Sequence, residues 1–333
     1  MRIAGRLAAG AVAAVLIVTA SASAPAARAA TVAAPGNAAV TVPAKPVPAK
    51  PGPAKPRPAE PGGVAPAVTR GPLAVVRARW AEIAVAATGK GLWSRSSASR
   101  RPMGSVTKVM TAYVVLTTPR LNLNRVITVP AAVTAYDAEF DASTAGLRPG
   151  EKLTTLQLLY AMMLPSGCDA AFTLATAYGP GFSGFIAKMN ATARKLGLTR
   201  THFTDPAGLP NPGQYSTYST AQSLVRLGRD AMKLKTLATV VGTRSYHVAA
   251  TSAHRAHTWK NLNPLLTMYR GALGIKTGYT GAAGQCLLFE AKRGTRTLIG
   301  VVLDSSSDIS DIKAASEDAV TMLNWAFAKY GTR

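Results

Sequence analysis

The chain has 333 residues, 48% of them hydrophobic and 16% charged, which is enough apolar side chain to bury a sizeable core and too much for a wholly disordered polymer. Lys and Arg number 38 against 15 Asp and Glu, a formal charge of +23, so an anionic neighbour is expected: nucleic acid, an anionic membrane or a cell-wall polymer. The two cysteines, Cys168 and Cys286, exclude a disulfide scaffold or a Cys-rich zinc site, and the four histidines form no HExxH pair.

Arg2 and Arg6 precede an apolar run from Leu7 to Ala20, followed by small residues from Ser21 to Ala30. This is the order of a secretory signal, and Ala27-Arg28-Ala29 places its cleavage after residue 29. The apolar run is short of the roughly 20 residues that span a bilayer. Export removes nucleic acid from the partners and leaves wall polymers and lipid head groups. Residues 30–69 read as a disordered linker, Pro-, Ala- and Lys-rich, with Pro43-Ala44-Lys45, Pro48-Ala49-Lys50 and Pro53-Ala54-Lys55 in a five-residue step. Such a stretch favours extended polyproline II. Residues 70–333 form the domain, with 31 basic against 14 acidic side chains, a net +17.

Within the domain, alternation over Ala81 to Ala87 predicts a strand, Thr88-Gly89-Lys90 a turn and Gly91 to Arg95 its partner. Ser105 to Thr117 reads as a helix. Thr154 to Leu164 reads as another, with a Thr154/Gln157 capping box. Asp169 to Tyr178 is a third, stopped by Gly179-Pro180, and Phe182, Phe185, Ile186 and Met189 stripe a fourth, closed by Gly197. Ala221 to Met232 is helical. Strands are expected at Ala272 to Tyr279, Gln285 to Lys292 and Thr297 to Leu303, then a last helix from about Ile312 to Lys329. The sheet therefore draws its strands from opposite ends of the domain. Asp137, Glu139 and Asp141 read as a solvent-facing loop, Trp80, Trp93, Trp259 and Trp325 as core or cleft wall, and Cys286 as a small buried hydrophobe. A Cys168–Cys286 disulfide is the alternative in an exported protein.

Three short motifs carry chemistry. Ser105-Val106-Thr107-Lys108 sets a hydroxyl and an amine on one helix face. A lysine can activate a serine where burial or a nearby cation lowers its pKa, and a serine at a helix start has its backbone N–H among the unpaired donors. Lys276-Thr277-Gly278 lies on a predicted strand whose glycine lets a substrate backbone approach. Ser166-Gly167-Cys168 lies between them, after Pro165. Each alone has a plain alternative: an amphipathic helix start, a strand end, a loop. Together, order and spacing match the Ser-x-x-Lys, Ser-x-Asn, Lys-Thr-Gly set of penicillin-binding proteins and class A β-lactamases.

The flanking residues narrow this. Met103 to Ala112, Leu164 to Ala171, Asp205-Pro206-Ala207-Gly208-Leu209 and Gly274 to Thr280, with Lys188-Met189-Asn190 and Asn261-Leu262-Asn263, resemble the low-molecular-mass penicillin-binding proteins of the D-alanyl-D-alanine carboxypeptidase family, peptidase S11, over about Arg79 to Phe327. The resemblance implies an α/β (α+β) fold of the β-lactamase/penicillin-binding-protein type: a five-stranded antiparallel sheet flanked by helices, plus a mainly helical subdomain. It implies a serine-type carboxypeptidase of peptidoglycan biosynthesis and cell shape, acting on stem peptides ending in D-Ala-D-Ala, binding β-lactams, and needing no metal or cofactor. It implies Ser105 as nucleophile, Lys108 as its base, Ser166 as proton relay, and Lys276, Thr277, Gly278 and Cys168 as substrate-binding. The backbone N–H groups of Ser105 and Tyr279 would form the oxyanion hole. Secretion to the wall or outer membrane face is expected, with anionic wall polymers as further partners.

Cys168 departs from the family, which usually has Asn there; a Ser-Gly-Cys version is similar to that of an actinomycete D,D-transpeptidase of the same family. Ala315 falls roughly where many members carry a carboxylate-binding arginine, and Lys313 is the nearby cation that could stand in. A strict D,D-transpeptidase and a non-catalytic wall-binding protein on this fold are the alternatives. A class A β-lactamase is disfavoured, because no glutamate follows Cys168 before Glu290.

Overall fold

The computed structural model describes residues 73–330; the signal peptide and linker expected at 1–69 lie outside them. In chain order the elements are β1 (Trp80–Val85), β2 (Gly91–Arg95), a 3₁₀ turn (Gly104–Thr107) running into α1 (Lys108–Leu116), β3 (Val126–Thr128), α2 (Val133–Phe140), β4 (Lys152–Thr154), α3 (Thr155–Met163), α4 (Cys168–Tyr178), α5 (Gly181–Lys195), α6 (Ala221–Met232), α7 (Lys235–Gly242), β5 (Ser245–Val248), β6 (His257–Lys260), α8 (Leu265–Met268), β7 (Ala272–Gly278), β8 (Cys286–Arg293), β9 (Arg296–Leu303) and α9 (Ala314–Tyr330).

Five strands form one antiparallel sheet in the order β2-β1-β9-β8-β7. The period-2 alternation read from the sequence sorts its side chains onto two buried faces. Trp80, Ala84, Leu288, Ile299 and Val301 join the larger core, which packs against α1, α3, α4, α5 and α6. Ala81, Ile83, Leu287, Phe289, Leu298 and Val302 face the other way, under Ala319, Met322, Leu323 and Ala326 of α9. The start of the domain is tied to that helix by buried Asp318, which accepts the backbone N–H groups of Arg77 (2.9 Å) and Ala78 (2.7 Å). Two small ribbons, β3–β4 and β5–β6, complete the subdomain around α2 to α5. Among the described residues no helix is long and apolar enough to cross a membrane.

The expected five-stranded sheet, two early strands and three late, is present, and the Thr154/Gln157 capping box closes both of its bonds. Two local readings are corrected. The helix expected from Ser105 begins as a 3₁₀ turn, a tighter winding common at helix starts, and becomes α-helical at Lys108. The acidic trio is not a loop: Asp137 and Glu139 lie on α2 and Asp141 is its left-handed cap. The helix forms because Val133 and Tyr136, three apart, turn inward together. The Tyr136 ring packs against Phe140, Phe172 and Phe182.

Candidate active site

The three motifs converge at the β7 edge of the sheet. Lys108 is fully buried, and its Nζ donates to Ser105 Oγ at 2.8 Å, reaching Cys168 Sγ at 3.3 Å, Ala207 O at 3.4 Å and Ser166 Oγ at 3.5 Å. The helical spacing of Ser105 and Lys108 delivers the first contact; the other three come from segments far away in sequence. Strand β7 closes the group from the opposite side. A Cβ on Gly278 would lie 2.3 Å from Met103 O and 3.1 Å from Ser105 N, so only glycine lets this strand end meet the Ser105 turn.

Lys276 is 2% exposed, and its Nζ donates to Thr277 Oγ1 at 3.3 Å. Burial, then the neighbouring Lys108 charge, pushes its ammonium down to about 7. The backbone of Ser166 is left-handed, at φ 66°, a conformation that costs a non-glycine residue of order 1 kcal/mol or more and clusters at functional sites. It is held by Ser143, whose Oγ donates to Ser166 O at 2.8 Å and whose carbonyl accepts the Cys168 N–H at 2.8 Å. Asp169, in the first turn of α4, accepts the N–H groups of Ala145, Leu147 and Ala170 at 2.8–2.9 Å. Asp205 is fully buried and accepts the N–H groups of Ala207, Gly208 and Leu209 together with Tyr136 O–H. Burial raises both carboxyl pKa values; the hydrogen bonds and the Lys108 charge pull them back. Burial, with Asp169 nearby, pushes Asp137 to about 7.

An open cleft of about 550 Å³ lies over these groups. Ser105, Ser166, Cys168, Thr277, Gly278 and Tyr279 line it, and Phe140, Leu209, Leu262, Ile309 and Ile312 give it an apolar rim. Cys168 and Cys286 are both free thiols, so the alternative disulfide is absent; burial pushes the Cys286 thiol to about 12. Ala315 is buried in the smaller core under α9 rather than facing the cleft, and Lys313 is not among the cleft's lining residues. The reading of the sequence missed Ser143 and Tyr136, which sit in no motif, and missed the supporting tasks of Asp169 and Asp205, although both stand inside the quoted motifs.

Residues 68–307 match the sequence model of peptidase S11, described as D-alanyl-D-alanine carboxypeptidase. The chain belongs to this family. Its activity class is that of a serine-type D-alanyl-D-alanine carboxypeptidase. Among S11 relatives, a D-alanyl-D-alanine carboxypeptidase of Streptomyces sp. (strain K15) is 44% identical over 251 residues, covering 72% of this chain and 84% of that protein. One of Mycobacterium tuberculosis is 36% identical, covering 72% and 79%. One of Bacillus subtilis is 30% identical, and the match spans 61% of its length. The crystal structure of the Streptomyces K15 D,D-transpeptidase superposes with a TM-score of 0.71 at 41% identity, covering 76% of this chain and 98% of that one, which establishes the penicillin-binding-protein-like fold expected from the motifs.

Proposed function

We propose that the protein cleaves the terminal D-alanine from peptidoglycan stem peptides through an acyl-enzyme on Ser105. The observation that carries this reading is the 2.8 Å contact between Ser105 Oγ and the buried amine of Lys108. With the amine neutral, the same contact carries the Ser105 proton to Nζ as Oγ attacks the penultimate D-Ala carbonyl. The backbone N–H groups of Ser105 and Tyr279 receive the oxyanion. Ser166, on the other side of Lys108, passes the proton to the leaving D-alanine nitrogen. Lys276 and Thr277 hold its carboxylate, where a cation suits an anion. Water then releases the acyl group. A β-lactam enters the same path and stays on Ser105. Mass spectrometry after benzylpenicillin should show one adduct, on the peptide bearing Ser105; an unmodified protein, or a Ser105→Ala variant that still gains the adduct, sinks the reading.

A second reading, transfer of the acyl group to an amine, is favoured by the apolar rim, which is poor at ordering water. Product analysis with and without an added amino-acid acceptor separates the two. We also infer export, with the signal at residues 1–29, and placement at the wall, where the domain's +17 charge favours anionic polymers.

Lys276 sets a pH dependence. Its ammonium loses the proton as pH rises through about 7 in the free enzyme, while the substrate carboxylate stays ionised throughout. The kcat/KM for a peptide ending in a free carboxylate should therefore fall, on the order of tenfold, from about pH 6 to about pH 8.5, relative to the same peptide ending in an amide. A bound carboxylate pulls the ammonium pKa back up, so kcat should fall at higher pH than kcat/KM. Parallel profiles for the acid and the amide would exclude Lys276 as the carboxylate's partner.

Cys168 offers a weak donor and acceptor where an asparagine amide offers strong ones. The loss of one neutral hydrogen bond is about 0.5–1.5 kcal/mol, so slow peptide turnover with intact penicillin acylation is expected. Because Cys168 lines the cleft, although it is only 1% exposed, alkylating it should block acylation by bulk. Cys168→Ala should acylate and resist the reagent. Full-rate acylation of alkylated wild type would remove Cys168 from the substrate path.

A further inference from the structure

A second concavity lies on the larger-core side of the sheet and shares no lining residue with the Ser105 cleft. Its volume is about 350 Å³, and it lies between Glu82 of β1, the turn at Gly89, the segment Gly197 to Arg200 after α5, and the first turns of α6. Three guanidinium-bearing residues line it: Arg200, Arg226 and Arg229. Arg229 is fixed, its Nε donating to Ala86 O at 2.7 Å and one terminal nitrogen to Ala87 O at 3.1 Å. Its other terminal nitrogen lies over Gly89, where a Cβ would come within 2.2 Å. The Arg226 guanidinium lies over Gly197 in the same way, with 2.9 Å to a Cβ there. The bare faces of two turn glycines are thus seats for two guanidinium groups.

Neither Arg200 nor Arg226 makes a hydrogen bond or ion pair with another described residue, and both are exposed. Glu82 is the only acid in the lining; it is half-buried and accepts a hydrogen bond from Ser97. Two amides at the start of α6 are already taken: Gln222 N–H donates to Ser97 O and Ser223 N–H to Thr220 Oγ1. Side chains therefore define what fits. A planar carboxylate is satisfied by one guanidinium fork, whereas a tetrahedral oxyanion can engage forks arriving from several directions. Exposed Arg200 and Arg226 leave the cavity open on one side, so the bound group can belong to a longer chain.

We propose that this cavity binds a phosphoryl group of a phosphodiester polymer and holds the enzyme against it. The polymer as source rests on the wall placement inferred above; the oxyanion site does not rest on the catalytic reading. The test titrates the full-length protein calorimetrically with poly(glycerol phosphate), with inorganic phosphate as competitor and with phosphatidylglycerol vesicles. Two double variants are compared: Arg200→Gln/Arg226→Gln, and the charge-matched Lys152→Gln/Lys260→Gln, at exposed positions outside the cavity. Expected is at least about tenfold weaker polymer binding for the arginine pair only, displacement by inorganic phosphate, and unchanged penicillin acylation in all three proteins. Equal losses in both variants would mean diffuse charge rather than a site and overturn the proposal. Arginine-dependent binding of vesicles without binding of polymer would overturn the polymer as its source.

Discussion

Replacing Lys108 with alanine is expected to slow acylation by benzylpenicillin by about 10²–10⁴-fold, the usual contribution of a positioned general base, with Ser105 still present. The size of the effect follows from geometry. Among the described residues Lys108 Nζ is the only amine within hydrogen-bond distance of Ser105 Oγ, and it is reached from both sides of the cleft, by Ser105 and by Ser166. Among the described residues no other side chain is hydrogen-bonded to Ser105 Oγ. Labelled-penicillin uptake followed in time reads the rate, and near-UV circular dichroism confirms that the variant is folded. A loss under tenfold in a folded variant would show that another group accepts the Ser105 proton.

The second large effect is expected at Asp205, which touches none of the reacting groups. Asp205→Ala leaves the N–H groups of Ala207, Gly208 and Leu209 and the Tyr136 hydroxyl without their acceptor in a buried site. Each such orphan costs about 1–3 kcal/mol before relaxation, so a loss of about 3–5 kcal/mol is expected. In a domain of this size that lowers Tm by roughly 6–20 °C. Acylation should fall too, since this loop presents Ala207 O to Lys108 and Pro206 O to Thr111 Oγ1. Asp205→Asn keeps one oxygen for the three amides and a nitrogen for the Tyr136 oxygen, so it should lose less than half as much. Equal melting of Asp205→Ala and wild type would mean that the loop holds itself.

The elements that carry the site were the legible ones. The Ser105–Lys108 pair follows from helical spacing, and the β1–β2 turn from Thr88-Gly89-Lys90, because both depend on neighbours in sequence. The hold on Ser166 was not legible. It depends on Ser143, an ordinary serine in a polar stretch, brought into place by a carboxylate two dozen residues later. Helix α2 was hidden for a related reason: Asp137, Glu139 and Asp141 advertise solvent, while only the partners Phe172 and Phe182 explain why Val133 and Tyr136 turn inward. The direction of Ala315 was not legible either: its place in the chain says nothing of the face it takes, and the residue is buried in the smaller core.

The pairing of β1 with β9, Trp80 opposite Leu303 and Val85 opposite Leu298, has a consequence for the life of the chain before it is an enzyme. As synthesis proceeds, Ser105 and Ser166 emerge early, but the sheet that fixes them cannot close until the strand ending at Leu303 arrives. Until then the inner edge of β1 has no neighbour, and Lys276 has no rigid strand to stand on. Contacts this distant in sequence make folding slow. Ser105, Ser166 and Lys276 are therefore held in their final arrangement only after nearly the whole of the domain has been made and β9 has paired with β1.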